Sequence, residues 1–174
     1  MHSRANSIVL IGMPGAGKST VGILLAKALG MGFVDTDVAI QVREGKTLQE
    51  ILDTSDYINL RAIEEQVLLS EDIAGQVVAT GGSAVYSEAG MARLKDSAVV
   101  VFLDVPLEEL EKRISNFDSR GIASKPGQSL EALFAERCKL YREYADISVD
   151  CRQQSLEQTL EKTLESLSQQ LPEQ

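Results

Sequence analysis

Histidine is nearly absent from this chain, and its scarcity excludes several kinds of catalysis. The only histidine among the 174 residues is His2, in the polar segment before the first apolar run. Ser-His-Asp hydrolysis and histidine-based zinc catalysis both need a histidine that the fold holds in place. We therefore expect neither chemistry. Phosphoryl transfer is still possible, because it depends on positioned charge more than on a dedicated histidine.

Cysteine and long apolar runs are also scarce. The two cysteines, Cys138 and Cys151, lack the spacing of metal ligands, and we expect two reduced thiols in the core. Apolar runs such as 98–103 are far shorter than a membrane span, and residues 1–7 contain no apolar core of a signal peptide. These absences predict a cytoplasmic protein that does not enter a membrane.

Positive charge is in deficit. The chain has 17 Lys and Arg against 26 Asp and Glu, a formal net charge of −9. A protein with this net negative charge repels nucleic acid and anionic membranes, so neither is an expected partner. Basic residues that bind an anion must therefore act locally. The length fits one domain over residues 1–174, with disordered tails at 1–5 and 171–174. We expect this domain to act as a monomer.

A glycine-rich segment carries the clearest functional information. The apolar run 8–11 is followed by Gly12-Met13-Pro14-Gly15-Ala16-Gly17-Lys18-Ser19-Thr20, which begins an amphipathic segment that ends near residue 29. This is the pattern of a phosphate-binding loop between a strand and a helix, whose backbone N–H groups turn towards an anion. In that pattern Lys18 reaches the terminal phosphates and the Ser19 hydroxyl can bind Mg²⁺. We expect a purine nucleotide here, with a chance glycine-rich turn as the alternative.

Short β-type runs alternate with helical patterns along the rest of the chain. Strands are predicted near 7–11, 32–35, 76–80, 98–103 and 147–150, and helices near 18–29, 37–44, 47–54, 57–70, 87–94, 106–115, 129–144 and 155–170. Two helices have capping boxes, Thr47 with Glu50 and Ser155 with Gln158. The alternation predicts an α/β fold with a doubly wound, five-stranded parallel sheet flanked by helices. Ligands bind such sheets at the carboxyl ends of the strands.

Two of those strand ends carry groups that suit a ligand. Asp35 and Asp37, two positions apart on an extended segment, would point the same way, so one could support Mg²⁺ while the other meets a substrate hydroxyl. A pair of helix N-cap aspartates is the alternative. Gly81-Gly82-Ser83 lets a ligand approach the backbone closely, although an ordinary Gly-Gly turn is also possible.

Residues 116–128 form a third candidate region. This segment holds Ser, Gly, Pro, Lys and Arg without an apolar period and lies between two predicted helices. A loop of this length in a compact domain is usually functional, often as a lid over a ligand. We expect a mobile lid, with a tolerated surface insertion as the alternative.

The combination of these segments resembles the shikimate kinases, P-loop proteins with a nucleoside-monophosphate-kinase-like fold. The similarity runs from about residue 8 to 150, and its closest stretches are Leu25-Ala26-Lys27-Ala28-Leu29-Gly30, Asp35-Thr36-Asp37-Val38-Ala39-Ile40 and Arg61-Ala62-Ile63-Glu64-Glu65. The resemblance implies ATP and Mg²⁺, with transfer of the γ-phosphoryl group to the 3-hydroxyl of shikimate.

The resemblance also implies roles for individual residues. Lys18, Asp37 and Arg120, the last from the lid, would be catalytic. The nucleotide would be bound by Gly12, Gly15, Ala16, Gly17, Lys18, Ser19, Thr20 and Arg120, with Arg113 and Arg152 near the adenine. Shikimate would be held by Asp37, Arg61, Gly81, Gly82 and Arg137. Ser19 and Asp35 would support the metal, the aspartate through water.

The chemistry of the residue types agrees with these roles. A carboxylate substrate needs guanidinium groups, which Arg61 and Arg137 would supply, and its hydroxyls need an acceptor such as Asp37. Each arginine could instead be a helix-surface partner of acids such as Glu64, Glu65 or Glu136. A kinase of the same fold for another small hydroxy acid or polyol, and a non-catalytic nucleotide-binding module, are the alternative functions.

The chain departs from the family pattern around the acceptor and the lid. Ser83 stands where a third glycine is usual, and Leu60 where an aromatic is commoner. The lid reads Arg120-Gly121-Ile122-Ala123 in place of Arg-Pro and two leucines, and Arg137-Cys138-Lys139-Leu140-Tyr141 lacks the usual proline. We expect Gly121 to loosen the open lid, and Gly121→Pro to tighten substrate binding if its φ angle and lost N–H are tolerated.

Overall fold

The protein is described here by a computed structural model that covers residues 7–115 and 117–170. Its centre is a parallel sheet of five strands in the order β2-β3-β1-β4-β5. The strands are β1 (Ile8–Ile11), β2 (Gly32–Asp35), β3 (Gln76–Ala79), β4 (Val99–Asp104) and β5 (Ile147–Asp150). The predicted α/β fold with a five-stranded parallel sheet is confirmed. The tails expected at 1–5 and 171–174 lie outside the described residues.

Eight α-helices connect and cover the described strands. They are α1 (Lys18–Leu29), α2 (Thr36–Glu44), α3 (Leu48–Thr54), α4 (Tyr57–Ser70), α5 (Glu88–Ser97), α6 (Leu107–Arg113), α7 (Leu130–Tyr144) and α8 (Leu156–Gln170), with 3-10 turns at Ala84–Tyr86 and Phe117–Ser119. Every predicted helix is present within a few residues of its expected ends. Both predicted capping boxes also form, with reciprocal hydrogen bonds between Thr47 and Glu50 and between Ser155 and Gln158.

The sheet explains why the central strands are continuous apolar runs. Val9 of β1 pairs with Val78 of β3 on one side and with Val100 of β4 on the other, and all three are fully buried. A strand with helices on both faces buries all its side chains, so it shows no alternation of polar and apolar residues. Cys138 and Cys151 are free and buried against this core, as expected.

A second, smaller apolar cluster lies beside the sheet. It brings together Ile40 of α2, Ile51 of α3, Leu60 and Val67 of α4, and Ala123 from the segment predicted as a lid. Helices α2 to α4 therefore pack with the lid around their own core. Within the described residues, no helix is long and apolar enough to cross a membrane.

Candidate active site

A cleft of about 290 Å³ opens at the carboxyl ends of β1, β2 and β3. This is the edge at which the sequence predicted a ligand. Its wall combines the glycine-rich loop, helices α2 to α4, the residues after β3, the lid and α7. The lining residues are Pro14, Gly15, Gly17, Lys18, Ser19, Thr20, Asp37, Ile40, Leu48, Leu60, Glu64, Thr80, Gly81, Gly82, Ser83, Arg120, Gly121, Ile122, Ala123 and Arg137.

The glycine-rich loop has the expected conformation between β1 and α1. Gly12, Gly15 and Gly17 adopt φ angles of 149°, 81° and 90°, which only glycine takes readily, and α1 begins directly after Gly17. Gly12 and Ala16 are buried and lie outside the lining of the cleft. Loop and helix together form a cradle for phosphate groups.

Lys18, the lysine of the glycine-rich loop, is buried. It is 7% exposed, and its Nζ donates to the carbonyl oxygens of Gly12 at 2.6 Å and Met13 at 2.8 Å. Burial lowers the pKa of its ammonium group to about 8, opposed chiefly by the nearby charge of Asp37. Lys18 is thus a largely desolvated cation, which interacts more strongly with an anion than a hydrated one does.

Asp35 and Asp37 do not share an extended segment. Asp35 ends β2 and caps α2, since its Oδ1 accepts from the N–H groups of Asp37 and Val38 at 2.9 and 3.3 Å. Asp37 lies in the first turn of α2 and lines the cleft. The expected side-by-side geometry is therefore wrong. The capping alternative applies to Asp35 alone, because α2 starts one residue earlier than predicted.

The oxygen atoms beside the loop fit a magnesium ion that bound phosphates would largely hold. The Ser19 hydroxyl donates to Asp35 Oδ2 at 2.5 Å. No group of three or more His, Cys, Asp or Glu in the described part of the chain could hold a metal by itself. Mg²⁺ usually keeps several waters and takes one or two protein groups plus substrate phosphates. A hydroxyl and one carboxylate therefore suffice as the protein's share.

Two carboxyl groups face each other across Gly81. A Cβ atom on this glycine would lie 2.5 Å from Asp37 Oδ1 and 2.7 Å from Glu64 Oε1, so any larger residue would displace one of them. Burial, followed by the charge of Asp35, raises the pKa of Asp37 to about 6. Burial, followed by the charge of Asp37, raises the pKa of Glu64 to about 7. Two closely spaced carboxyl groups in a low-dielectric site hold their protons more tightly.

Gly82 also faces side chains at close range. A Cβ atom there would lie 2.7 Å from Arg137 Nη1 and 2.8 Å from Pro14 Cδ, and its carbonyl accepts from the Tyr141 hydroxyl at 2.6 Å. Neither Gly81 nor Gly82 has a positive φ angle. The two glycines are required by close approach across the cleft, which the alternative of an ordinary Gly-Gly turn does not explain.

Arg61 and Arg137 converge on one carbonyl of the lid. The Nη2 atoms of Arg61 and Arg137 donate to the Ala123 carbonyl at 3.3 and 2.7 Å. Arg61 also stacks on the Tyr86 ring, 3.6 Å from its centroid, and Arg137 is only 1% exposed. Neither makes an ion pair with an acid in residues 7–115 or 117–170, contrary to the surface-pair alternative. The Nε atoms of both are buried without a hydrogen-bond partner among the described residues.

The lid touches the acceptor side of the cleft. Arg120 lines the cleft with an exposed side chain, while Ala123 is buried in the second apolar cluster. Gly121 has a φ angle of +72°, and its N–H donates to Gln49 Oε1 at 2.9 Å. Proline fixes φ near −65° and has no N–H, so the condition under which Gly121→Pro was expected to tighten binding is not met. Residue 116 lies outside the described part of the lid.

Comparisons with known proteins bear on this cleft. The shikimate kinase family model matches residues 14–168. A shikimate kinase of Mycobacterium avium is 40% identical over 156 residues, covering 87% of each chain. One of Aromatoleum aromaticum is 42% identical over 147 residues, covering 82% of this chain and 83% of the relative. The solved structure of shikimate kinase from Acinetobacter baumannii in complex with shikimate matches with a TM-score of 0.87 and 31% identity, covering 97% of this chain and 96% of that chain.

The chain belongs to the shikimate kinase family. The predicted resemblance and the interpretation as an ATP-using phosphotransferase with an alcohol acceptor are therefore confirmed. The alternative of a non-catalytic nucleotide-binding module is set aside by the same match.

The arginines expected near the adenine lie outside the lining of the cleft, and Arg113 contacts the glycine-rich loop. Arg113 Nη1 donates to the Gly15 carbonyl at 3.2 Å, and its Nη2 lies 3.6 Å from Glu109 Oε2. Arg152 is exposed in the turn between β5 and α8, and the next N–H, of Gln153, donates to Glu109 Oε1 at 2.7 Å. Glu109 thus connects the two regions that carry these arginines.

Sequence reasoning missed Glu64 as a residue of the cleft. It was considered only as a surface partner for an arginine, yet it is 2% exposed and accepts a hydrogen bond from the Ser83 hydroxyl. Its spacing from Arg61, three positions along α4, was the available signal, since residues i and i+3 of a helix share a face. The sequence could not say that this face is the wall of the cleft.

Proposed function

We propose that the chain transfers the γ-phosphoryl group of ATP to the 3-hydroxyl of shikimate. The observation that carries this proposal is one cleft with a phosphate loop at one end and the buried Arg137 at the other, with Arg61 in an adjoining pocket. The Nε atoms of both arginines are buried without a partner among the described residues. Asp37 lies between these two ends. An acceptor that suits this arrangement has a carboxylate and, a few ångströms away, a hydroxyl group.

The nucleotide end is assigned to the loop and the start of α1. The backbone N–H groups of Gly15 and of residues 17–20 would bind the phosphates, while the N–H of Ala16 donates to the Met13 carbonyl within the loop. The buried ammonium group of Lys18 would neutralise the charge that develops during transfer. Ser19 would bind Mg²⁺ directly and Asp35 through water. Bound there, the ion would neutralise the phosphate oxygens and orient the γ-phosphoryl group.

The acceptor end is assigned to the arginine pair. Guanidinium groups bind a carboxylate through paired hydrogen bonds, and the two unpartnered Nε–H groups are donors of that kind. Gly81 and Gly82 have no side chains, which lets Asp37 and Arg137 lie directly against the backbone at this end of the cleft. A relative whose solved structure contains shikimate shares this fold over nearly its whole length.

Asp37 is assigned as the group that accepts the proton. With a pKa raised to about 6, it is mostly ionised at neutral pH and still basic enough to take a proton from a hydroxyl. The acceptor oxygen forms a bond to the γ-phosphorus as the bond to the bridging oxygen of ADP breaks, and the hydroxyl proton passes to Asp37. Arg120 would stabilise the transferring group from the lid, whose closure would exclude water.

We further propose that the protein acts as a monomer in the cytoplasm, where ATP and Mg²⁺ are available. Its two free, buried cysteines are typical of a reducing compartment.

A coupled ADP-release assay tests the assignment. It would compare shikimate with a panel of small hydroxy acids and polyols, using Lys18→Met as the blank for contaminating kinases. We expect ADP release that depends on shikimate and is lost in the blank. Turnover on another acceptor, with none on shikimate, would replace the proposed acceptor. No turnover on any member of the panel would refute the proposal as a whole.

A further inference from the structure

Ser83 lies in the wall of the cleft, and its hydroxyl bonds to a side chain distant in sequence. It directly precedes the 3-10 turn Ala84–Tyr86, yet its hydroxyl makes no capping hydrogen bond to that turn. The hydroxyl instead donates to Glu64 Oε2, and Ser83 is 8% exposed. Because the Ser83 hydroxyl is buried and donates to the Glu64 carboxylate, it helps to fix the position of that carboxylate.

Glu64 is the acid that could neutralise the arginine pair. It shares the cleft with Arg137 and lies one helical turn from Arg61 on α4. Their charges interact, since Arg137 is among the groups that lower the pKa of Glu64. Even so, Glu64 lies beyond 4.0 Å ion-pair distance of either guanidinium group among the described residues.

The atoms left without partners show the consequence. In the described residues, only three buried side-chain polar atoms lack a hydrogen-bond partner: Arg61 Nε, Glu64 Oε1 and Arg137 Nε. Glu64 lines both the cleft that holds Arg137 and the adjoining pocket that holds Arg61. Buried polar atoms are almost always paired, so three grouped in this way indicate a ligand that would complete them. Two are donors suited to an anion, and the third is an acceptor suited to a hydroxyl.

We propose that Ser83 is a positioning residue that sets the preference of the cleft for a carboxylate-bearing acceptor. Its hydroxyl holds Glu64 Oε2 on the side of the residues after β3, which prevents the glutamate from pairing with Arg61 and Arg137. Both guanidinium groups then keep their full charge and their free donors for the acceptor. This inference rests on the proposed function, because it concerns the same acceptor site.

The test is a comparison of a charged and an uncharged ligand. Binding of shikimate and of its methyl ester would be measured by calorimetry in the wild type, Ser83→Ala and Ser83→Thr. Ser83→Ala would free Glu64 to compete with the ligand for the arginines, and one hydrogen bond between charged groups corresponds to about a tenfold change in an equilibrium constant. We expect Ser83→Ala to bind shikimate about tenfold more weakly and the ester unchanged, and Ser83→Thr to retain the wild-type preference. In turnover, KM for shikimate should rise while kcat stays within about twofold.

Ser87 provides a matched control. Its hydroxyl donates to Glu65 Oε2 and also caps α5, but it does not line the cleft. Ser87→Ala removes the same kind of serine–glutamate hydrogen bond and should reduce stability without changing the preference for the charged ligand. A double-mutant cycle with Glu64→Gln tests whether Ser83 acts through Glu64. If it does, Ser83→Ala should have little further effect on shikimate binding in the Glu64→Gln background.

The outcomes separate the two proposals. If the wild type prefers shikimate over the ester and Ser83→Ala keeps that preference, the role of Ser83 is refuted while the proposed function stands. If Ser87→Ala loses the preference as well, the effect is structural and the inference also fails. If the wild type shows no preference for the carboxylate, the arginine site of the proposed function is refuted, and the inference falls with it.

Discussion

Replacing Asp37 by asparagine should make the protein more stable and far less active. The pKa of its carboxyl group is raised from 3.8 to about 6, chiefly by burial and then by the charge of Asp35. The folded protein therefore binds this proton about a hundredfold more tightly than the unfolded chain, which corresponds to at most about 3 kcal/mol. Asparagine resembles the neutral acid in shape and has no charge to desolvate. Because Asp37 lines the cleft and is only partly buried, we expect a gain of about 1–2 kcal/mol at pH 8.

The sign and the pH range follow from the direction of the shift. A carboxyl group with a raised pKa in the folded state contributes most to stability when it is protonated, and this contribution is lost as pH rises through about 6. The wild type and Asp37→Asn should therefore unfold with similar free energies near pH 4. The advantage of the variant should grow between pH 4 and 7 and remain constant above that range.

The measurements are urea unfolding, for the free energies, and thermal unfolding, for the midpoint temperature. Both are followed by circular dichroism, because the chain has no tryptophan to report by fluorescence. Asp96→Asn, at an exposed position of α5, is the control for removing one negative charge from a chain of net charge −9. At pH 8 the midpoint temperature of Asp37→Asn should rise by about 2–8 °C. An Asp37→Asn variant that is equally stable or less stable at pH 8, while matching the wild type at pH 4, would refute the buried-carboxylate argument.

The same variant should lose activity for the reason that it gains stability. If Asp37 accepts the proton, kcat should fall by about 10²–10⁴-fold while ATP affinity stays nearly constant. For the wild type, kcat/KM for the acceptor should fall as pH drops through about 6, because the base is then protonated. An unchanged kcat in Asp37→Asn would exclude the role of general base.

Three further predictions concern the nucleotide end and the lid. Lys18→Met should abolish transfer measured by ADP release, and stability should change little because lost hydrogen bonds offset a removed buried charge; a near wild-type rate would contradict this. Arg120→Ala should lower kcat far more than nucleotide affinity, and proteolysis after Arg120 in the wild type should slow when nucleotide and acceptor are both bound; equal cleavage in both states would remove its catalytic assignment. Gly121→Ala should raise KM for the acceptor, since φ is +72° and a Cβ would lie 2.7 Å from Leu48 Cβ; an unchanged KM would indicate that the lid tolerates the strain.

Contiguous stretches of the sequence were enough to predict the fold and the nucleotide end of the cleft. The conformation of the loop from Gly12 to Thr20 depends on glycines with positive φ angles, and β1 and α1 lie directly beside it in the sequence. The parallel sheet follows from the alternation of apolar runs with helical periods. The capping box of Thr47 with Glu50 depends on neighbours three residues apart. Each of these features results from local backbone preference or from periodic burial, both of which a sequence displays directly.

The chemistry of the acceptor end depends on distances that no contiguous segment contains. Asp37 was identified as a candidate, but its raised pKa follows from burial in the folded protein and then from the charge of Asp35. The burial of Lys18 was missed for the same reason, because a side chain is desolvated by elements that fold over it. Only the tertiary structure brings the hydroxyl of Ser83 onto Glu64, and thereby leaves the donors of the arginines free. The sequence determined which chemical groups the cleft has, whereas packing decided which of them are buried, paired or left for a ligand.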